Sequence, residues 1–261
     1  MTEMSPLMRL RIAARMLLLQ ARWDPTRMQG PGLAFALDPW LAKCWSADEA
    51  GLREARRRHL GYFNTHPNAA WLAAGVICRL EASAAASSGA ERAALVARVD
   101  SLKRTLGASL AGLYDAFFWG SLRPASALIG LLTAQAAYRA GSSWAPWWGA
   151  AAALAAYNVP SWWSRLAGLR RGYEQGDAAL VALCAAPCQT WIRNLRWSLV
   201  VGAVLCLAAG AGGLPGGDRL WAGLTFAGGM ILSRRGVAPL TQIGFAGAGA
   251  LAASLAGFWP S

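Results

Sequence analysis

Two groups of polar residues, set in apolar surroundings, have types and spacing that permit chemistry. Asp115 and Arg123 are the one acid and the one base in Gly107–Pro124, which reads GASLAGLYDAFFWGSLRP. Eight residues make a little more than two helical turns, so a continuous helix puts both on roughly one face. In water this would be a buried helix with an awkward acid. In a bilayer an intramembrane carboxylate costs several kcal/mol and is usually kept for a function. Asp115 either neutralises Arg123 or accepts hydrogen bonds from the hydroxyls of a ligand. The second group is Asn64, Thr65 and His66, followed by Pro67. One role is capping, with Asn or Thr satisfying free N–H groups and Pro67 starting the next helix. The other is to offer donors and acceptors to a hydroxylated ligand. An intramembrane enzyme built on Asp115 and His66 would need a nucleophile with a paired base, and none is visible.

The elements that must hold these residues are set by composition. Of 261 residues, 56% are hydrophobic and 15% charged, with 14 Trp and 29 Gly, against a usual charged share of about a quarter. Residues 1–115 carry fifteen Lys and Arg and ten acids, whereas 116–261 carry ten Arg and only Glu174, Asp177 and Asp218 as acids. The net charge of +12 does not line one polar face as a nucleic-acid surface would. Arginines that punctuate apolar segments fit positively charged cytoplasmic loops, and we expect an all-α integral membrane protein. Cysteines 44, 78, 184, 188 and 206 form no CxxC pair. Neither a disulfide framework nor a structural zinc site is expected, and no metal or cofactor is called for.

Along the chain, residues 7–22 lack a long apolar core and an A-x-A site, which argues against a secretory signal. Arg11, Arg15 and Arg22 share one helical side, suiting an amphipathic segment in the membrane surface. Trp23–Pro39 is rich in Gly and Pro and is not expected to form one helix. Ser46 and Glu49 read as a capping box ahead of a basic helix over 47–63, with Arg56–Arg58 facing anionic lipid or a cytoplasmic partner. The helix after Pro67 has about a dozen apolar residues, too few to span, and reads as half of a re-entrant hairpin around 64–82, with Glu81 at its solvated end. Leu95, Val99, Leu102 and Leu106 mark the apolar stripe of an arm helix from Glu91 to Leu106. About five spans are expected, at 108–138, 144–164, 178–191 with 195–213, 219–232 and 237–258. Several are interrupted, by Pro160 and Pro187 among others, as in transporters. The small-residue run Gly244–Ala250 invites close contact with a partner helix. The regions read as an interfacial 1–45, a basic helix, hairpin and arm over 46–106, and a membrane region over 107–261.

Three stretches in register carry a family resemblance across about residues 15–175. They are Trp23-Asp24-Pro25-Thr26-Arg27-Met28-Gln29-Gly30-Pro31-Gly32, Arg58-His59-Leu60-Gly61-Tyr62-Phe63-Asn64-Thr65-His66-Pro67, and GLYDAFFWGSLRP from Gly112 to Pro124. The sequence resembles the IID component of the mannose/fructose/sorbose-type bacterial phosphotransferase system (PTS).

The resemblance implies a multi-pass subunit of the bacterial cytoplasmic membrane. It would pair with a IIC subunit in a sugar permease and work with soluble IIA and IIB phosphocarriers. The sugar would be phosphorylated on entry by a histidine of IIB, so no catalytic or phosphorylated residue is expected in this chain. The sugar-contacting candidates it implies are Asn64, Thr65, His66, Asp115, Trp119 and Arg123. Two departures bear on transport: Thr26 stands where the family commonly has Glu, and Tyr114 where Gly usually precedes the acid. They keep open an alternative, a degenerate scaffolding subunit that moves no sugar.

Overall fold

Ala and Leu are the commonest residues of this chain, and helix is the local state they favour. The computed structural model describes residues 3–211, apart from the side chains of 106–109, 201 and 203–211. Among the described residues there is no strand beyond two isolated bridges, Asp24 with Met28 and Met28 with Phe63. The chain divides into two units, Met1–Leu199 and Val200–Ser261. The expected spans 219–232 and 237–258 and the run Gly244–Ala250 lie outside the described residues.

The helices are α1 (Pro6–Met16), α2 (Gly30–Cys44), α3 (Glu49–His59), α4 (Ala69–Ala86), α5 (Gly89–Tyr114), a π-helical segment (Asp115–Leu122), α6 (Arg123–Arg139), α7 (Ala145–Gln175), α8 (Asp177–Ala185) and α9 (Cys188–Ala211). At the centre is α4, apolar apart from Arg79, Glu81 and Ser83 and packed against α2, α5 and α7. Its Ala69, Trp71, Val76, Ile77 and Cys78 are fully or almost fully buried. Two glycine pairs let backbones meet. A Cβ on Gly75 would come within 2.4 Å of the Leu169 carbonyl of α7, and one on Gly172 within 2.4 Å of the Leu72 carbonyl of α4. Gly130 and Gly149 play the same part between α6 and α7, each approaching the other's carbonyl. Gly75→Ala is therefore expected to cost about 1–3 kcal/mol by overpacking. The thermal midpoint of the purified protein would show it, and an unchanged midpoint would refute the crossing.

Several elements differ from the sequence expectation. Trp23–Pro39 is not one helix, as expected, but its residues 30–39 are helical: Pro31 sits in the first turn, where its missing N–H costs nothing. Pro39 is carried inside α2 because Leu33, Leu37, Trp40 and Leu41 around it are buried. The cap of α3 is Asp48, whose Oδ1 accepts the Gly51 N–H at 2.8 Å, not Ser46. That helix stops at His59, so 60–68 is irregular. The helix after Pro67 runs 18 residues to Ala86. It is about 27 Å long, longer than the expected half-hairpin. Among the described residues it is the one helix long and apolar enough to cross a membrane, although most of its surface faces protein. Pro160 does not break α7, whose later residues Ser161, Leu169 and Tyr173 are buried. Pro187 does separate α8 from α9.

The arm and the first expected span are continuous: α5 passes into the π segment and on into α6 without a turn. Val99 and Leu102 are buried and Leu95 half-buried, as the stripe predicts. Outward faces carry Trp119, Trp147, Trp148, Trp162 and Trp163, all exposed. On α1, Ile12, Ala13 and Met16 pack inward, leaving Leu7 and Leu10 exposed. Arg11 and Arg22 stay outside, but Arg15 folds onto α2 and donates to the Phe35 carbonyl at 2.7 Å. The three arginines thus do not share one surface.

Candidate functional site

The first two signature stretches build one structure. Asp24 turns the chain: its Oδ1 accepts from the Thr26 hydroxyl at 2.6 Å and from the Thr26 and Arg27 N–H groups at 2.8 Å. These bonds, the Thr26 hydroxyl first, hold the Asp24 carboxyl well below the usual range. Thr26 therefore has a local task in this turn. Met28 closes it at a φ of 52°. The Phe63 N–H donates to the Arg27 carbonyl at 3.3 Å and the Gln29 N–H to the Phe63 carbonyl at 2.8 Å. A Cβ on Gly30 would collide with the Gly61 carbonyl, so this approach needs glycine.

Gln29, buried, then grips the second stretch by both backbone groups of Thr65. Its Nε2 donates to the Thr65 carbonyl at 2.7 Å, and its Oε1 accepts the Thr65 N–H at 3.1 Å. Gln29→Leu would leave two buried backbone groups unpaired, at about 1–3 kcal/mol each. We expect a lower thermal midpoint together with weaker ligand binding. A stable variant with normal binding would show that Gln29 positions nothing.

Beyond Thr65, α4 begins at Ala69, with Asn68 at the cap position. Asn64 is exposed and caps nothing. His66 Nδ1 accepts the Asn68 N–H at 3.1 Å. The Asn68 Oδ1 accepts from Arg165 Nε at 2.6 Å and Ser161 Oγ at 3.1 Å, both on α7. Three side-chain atoms here are buried without a partner, Thr65 Oγ1, His66 Nε2 and Asn68 Nδ2, and so is Asp115 Oδ1 in the π-helical segment.

The third stretch supplies rings. His66 stacks on Phe118 with centroids 5.3 Å apart, and lies 5.1 Å from Trp119 and 5.9 Å from Tyr114. Tyr114 stacks in turn on Phe118 at 5.7 Å. An apolar cavity of about 180 Å³ lies behind these rings, lined by Tyr114, Phe117, Phe118, Pro160, Trp163 and Cys188 among others. Trp119 and Asp115 belong to the π segment, where the Ser121 hydroxyl donates to the Ala116 carbonyl at 2.9 Å. Such i→i+5 turns are rare and cluster at functional sites. Among the described residues no ion pair joins Asp115 to Arg123, which is exposed at the start of α6. Sharing a face left them of order 10 Å apart along the axis, too far for so short an acid. His66 and Trp119 thus meet, whereas Asn64 and Arg123 stand at the surface.

Glu81 and Arg58 depart most from expectation. Instead of a solvated end, Glu81 is 0% exposed. Arg58 turns inward and donates to it from Nε at 2.7 Å and from Nη2 at 3.0 Å. His59 Nε2 lies 2.9 Å from its Oε1, and Trp45 Nε1 donates at 3.0 Å. Lys103 caps the Arg58 carbonyl, and burial pushes its amine down to about 8. Arg56 pairs with Asp38 at 2.7 Å and Arg57 with Glu54 at 2.9 Å. The arginine run is thus one internal tether and two surface pairs rather than a free cationic face. Sequence reasoning missed Gln29, Asn68, Ser161 and Arg165. Gln29 lay inside a motif, but nothing local marks Arg165.

Residues 4–203 match the family described as PTS system mannose/fructose/sorbose family IID component. The chain is 34% identical over 113 residues to the mannose-specific EIID component of Escherichia coli K12, covering 43% of this chain and 38% of that protein. It is 35% identical over 107 residues to the fructose permease IID component of Bacillus subtilis 168, covering 40% of this chain and 36% of that protein. These alignments thus span less than two fifths of the relatives' length. In fold the chain is similar to a solved structure described only as a membrane protein, with a TM-score of 0.69 at 24% identity over 98% of this chain and 97% of that one. It is also similar to the mannose transporter ManYZ solved with microcin E492, with a TM-score of 0.57 at 24% identity over 99% and 97%. The match over residues 4–203, with its three signature stretches folded around His66, makes this chain a member of the PTS mannose/fructose/sorbose IID component family.

Proposed function

We propose that the chain is the IID subunit of a mannose-type PTS permease in the bacterial cytoplasmic membrane, which it crosses several times. It pairs there with a IIC subunit and helps move a sugar that IIB phosphorylates on entry, IIA supplying IIB. The observation that supports this best is the family match over residues 4–203, joined to the unpartnered polar atoms of Thr65, His66 and Asp115. Thr65, His66, Asp115 and Trp119 are the core of the sugar site in this reading, with Asn64 and Arg123 at its margin. Orphaned donors and acceptors beside aromatic rings suit a sugar, which offers hydroxyls on its edges and C–H faces to rings. No observation favours a scaffolding subunit over this one, since Thr26 is used within its own turn.

The test is reconstitution of the full chain with its IIC subunit in vesicles. Uptake of a labelled sugar is expected only when IIB and phosphoenolpyruvate-driven phosphoryl transfer are supplied, with sugar phosphate as the product inside. The chain itself should take up no phosphate. A complex that neither binds nor moves any sugar, or one in which His66 or His59 carries phosphate, would overturn the assignment.

A further inference from the structure

We propose that the head of α4 is a subsite for a carboxylate carried by the substrate, formed by the Asn68 amide, His66 Nε2–H and Arg165. It rests on the sugar-site reading above and narrows it to sugar acids such as hexuronates.

The polarity of the groups follows from their bonds. Arg165 Nε can only donate, so the Asn68 atom 2.6 Å away is the amide oxygen. The Ser161 hydroxyl donates to the same oxygen. Asn68 Nδ2 is then the free end, a donor with no partner in a residue 1% exposed. His66 Nδ1 accepts the Asn68 N–H, which leaves the ring proton on Nε2. That donor also has no partner, in a residue 3% exposed. Buried donors of this kind are rare in proteins and cost stability unless a ligand supplies acceptors.

The charge that lies directly against Asn68 is a cation, Arg165. Among the described residues no carboxylate lies within ion-pair distance of Arg165, which is half-buried against Asn68. The 18-residue helix α4 starts here with no acid in its first turn, so its free N–H groups and dipole add positive potential. A hydroxyl-only sugar would fill the donors but leave the guanidinium, 5.5 Å from the Trp162 ring centroid, without an anionic partner. A carboxylate satisfies both, and charge-assisted bonds are the stronger kind.

The variant that tests this is Asn68→Asp. It keeps an oxygen for Arg165 and Ser161 but replaces the free donor by a negative acceptor. The full chain and its IIC subunit, in nanodiscs of phosphatidylcholine alone, would be titrated with glucuronate, glucose and inorganic phosphate. Glucuronate is expected to bind about tenfold or more tighter than glucose. Asn68→Asp should remove that preference with the thermal midpoint kept, and Arg165→Gln should remove it too. Glucose binding as tightly as glucuronate, or a preference that survives both variants, overturns the carboxylate subsite while the sugar site stands. Phosphate displacing glucuronate at equal or lower concentration overturns it in favour of a phosphate site, free or lipid-borne. Binding of none of the three overturns both readings.

Discussion

Glu81→Gln is expected to lower folding stability by about 3–5 kcal/mol, the cost of leaving buried charge without its partner. Glu81 is fully buried, and its four bonds come from Arg58, His59 and Trp45. Gln keeps the shape and one acceptor but strands the Arg58 guanidinium, whose side chain is 10% exposed. A large fall in yield and thermal midpoint should follow. Changing both partners, Arg58→Met with Glu81→Met, should recover much of the loss, because an apolar pair of similar volume carries no desolvation cost. A Glu81→Gln protein that melts like the parent would show that the knot holds nothing.

The same knot contains a pH dependence. Burial pulls His59 below its ordinary 6.5, with Glu81 opposing and Lys103 and Arg58 reinforcing the shift. The unfolded chain therefore binds this proton first as pH falls. Stability is fully present above about pH 6.5 and is lost progressively below it, down through the folded-state value. His59→Gln should flatten that acid limb. An acid limb of unchanged slope in the variant would assign it elsewhere.

Asp115→Asn should act on the ligand rather than on the fold. Asp115 Oδ1 is buried and unpartnered, and Arg123 is exposed and not joined to it. Asn keeps the size and loses charge-assisted bonds to hydroxyls, each worth about 1.5–3 kcal/mol. Sugar affinity should drop roughly ten- to a hundredfold while the complex with IIC still assembles. Had the acid served only to neutralise Arg123, the same change would first damage assembly, and a paired Arg123→Gln would repair it. Yield and binding must be read on the same preparations. Loss of the complex with normal binding in the surviving fraction would remove Asp115 from the site.

Local and periodic information was legible in the amino-acid order. The all-helical class, the break at Pro187, the inward Val99 and Leu102, and the three signature stretches all depend on neighbours within a few turns. Short-range signals also misled. Pro160 read as an interruption, yet it is helical, as is Pro39, because burial on either side outweighs one lost hydrogen bond. Glu81 read as a solvated end and Arg58 as a surface charge because each is judged alone by polarity. Only the tertiary approach of Arg58 at the end of α3 to Glu81 on α4, 23 residues apart in sequence, lets them cancel each other in the interior. The polar wall at Asn68 depends on Arg165, 97 residues away. Its place there follows from α7 lying against α4 through Gly75 and Gly172, a backbone contact that no local pattern encodes. Asp115 and Arg123 could be assigned to one helical face from their spacing, but whether they touch was decided by axial distance and by the π segment between them. The residue types that can meet a sugar were thus written in the chain, and packing alone selected which of them remain unpaired to do so.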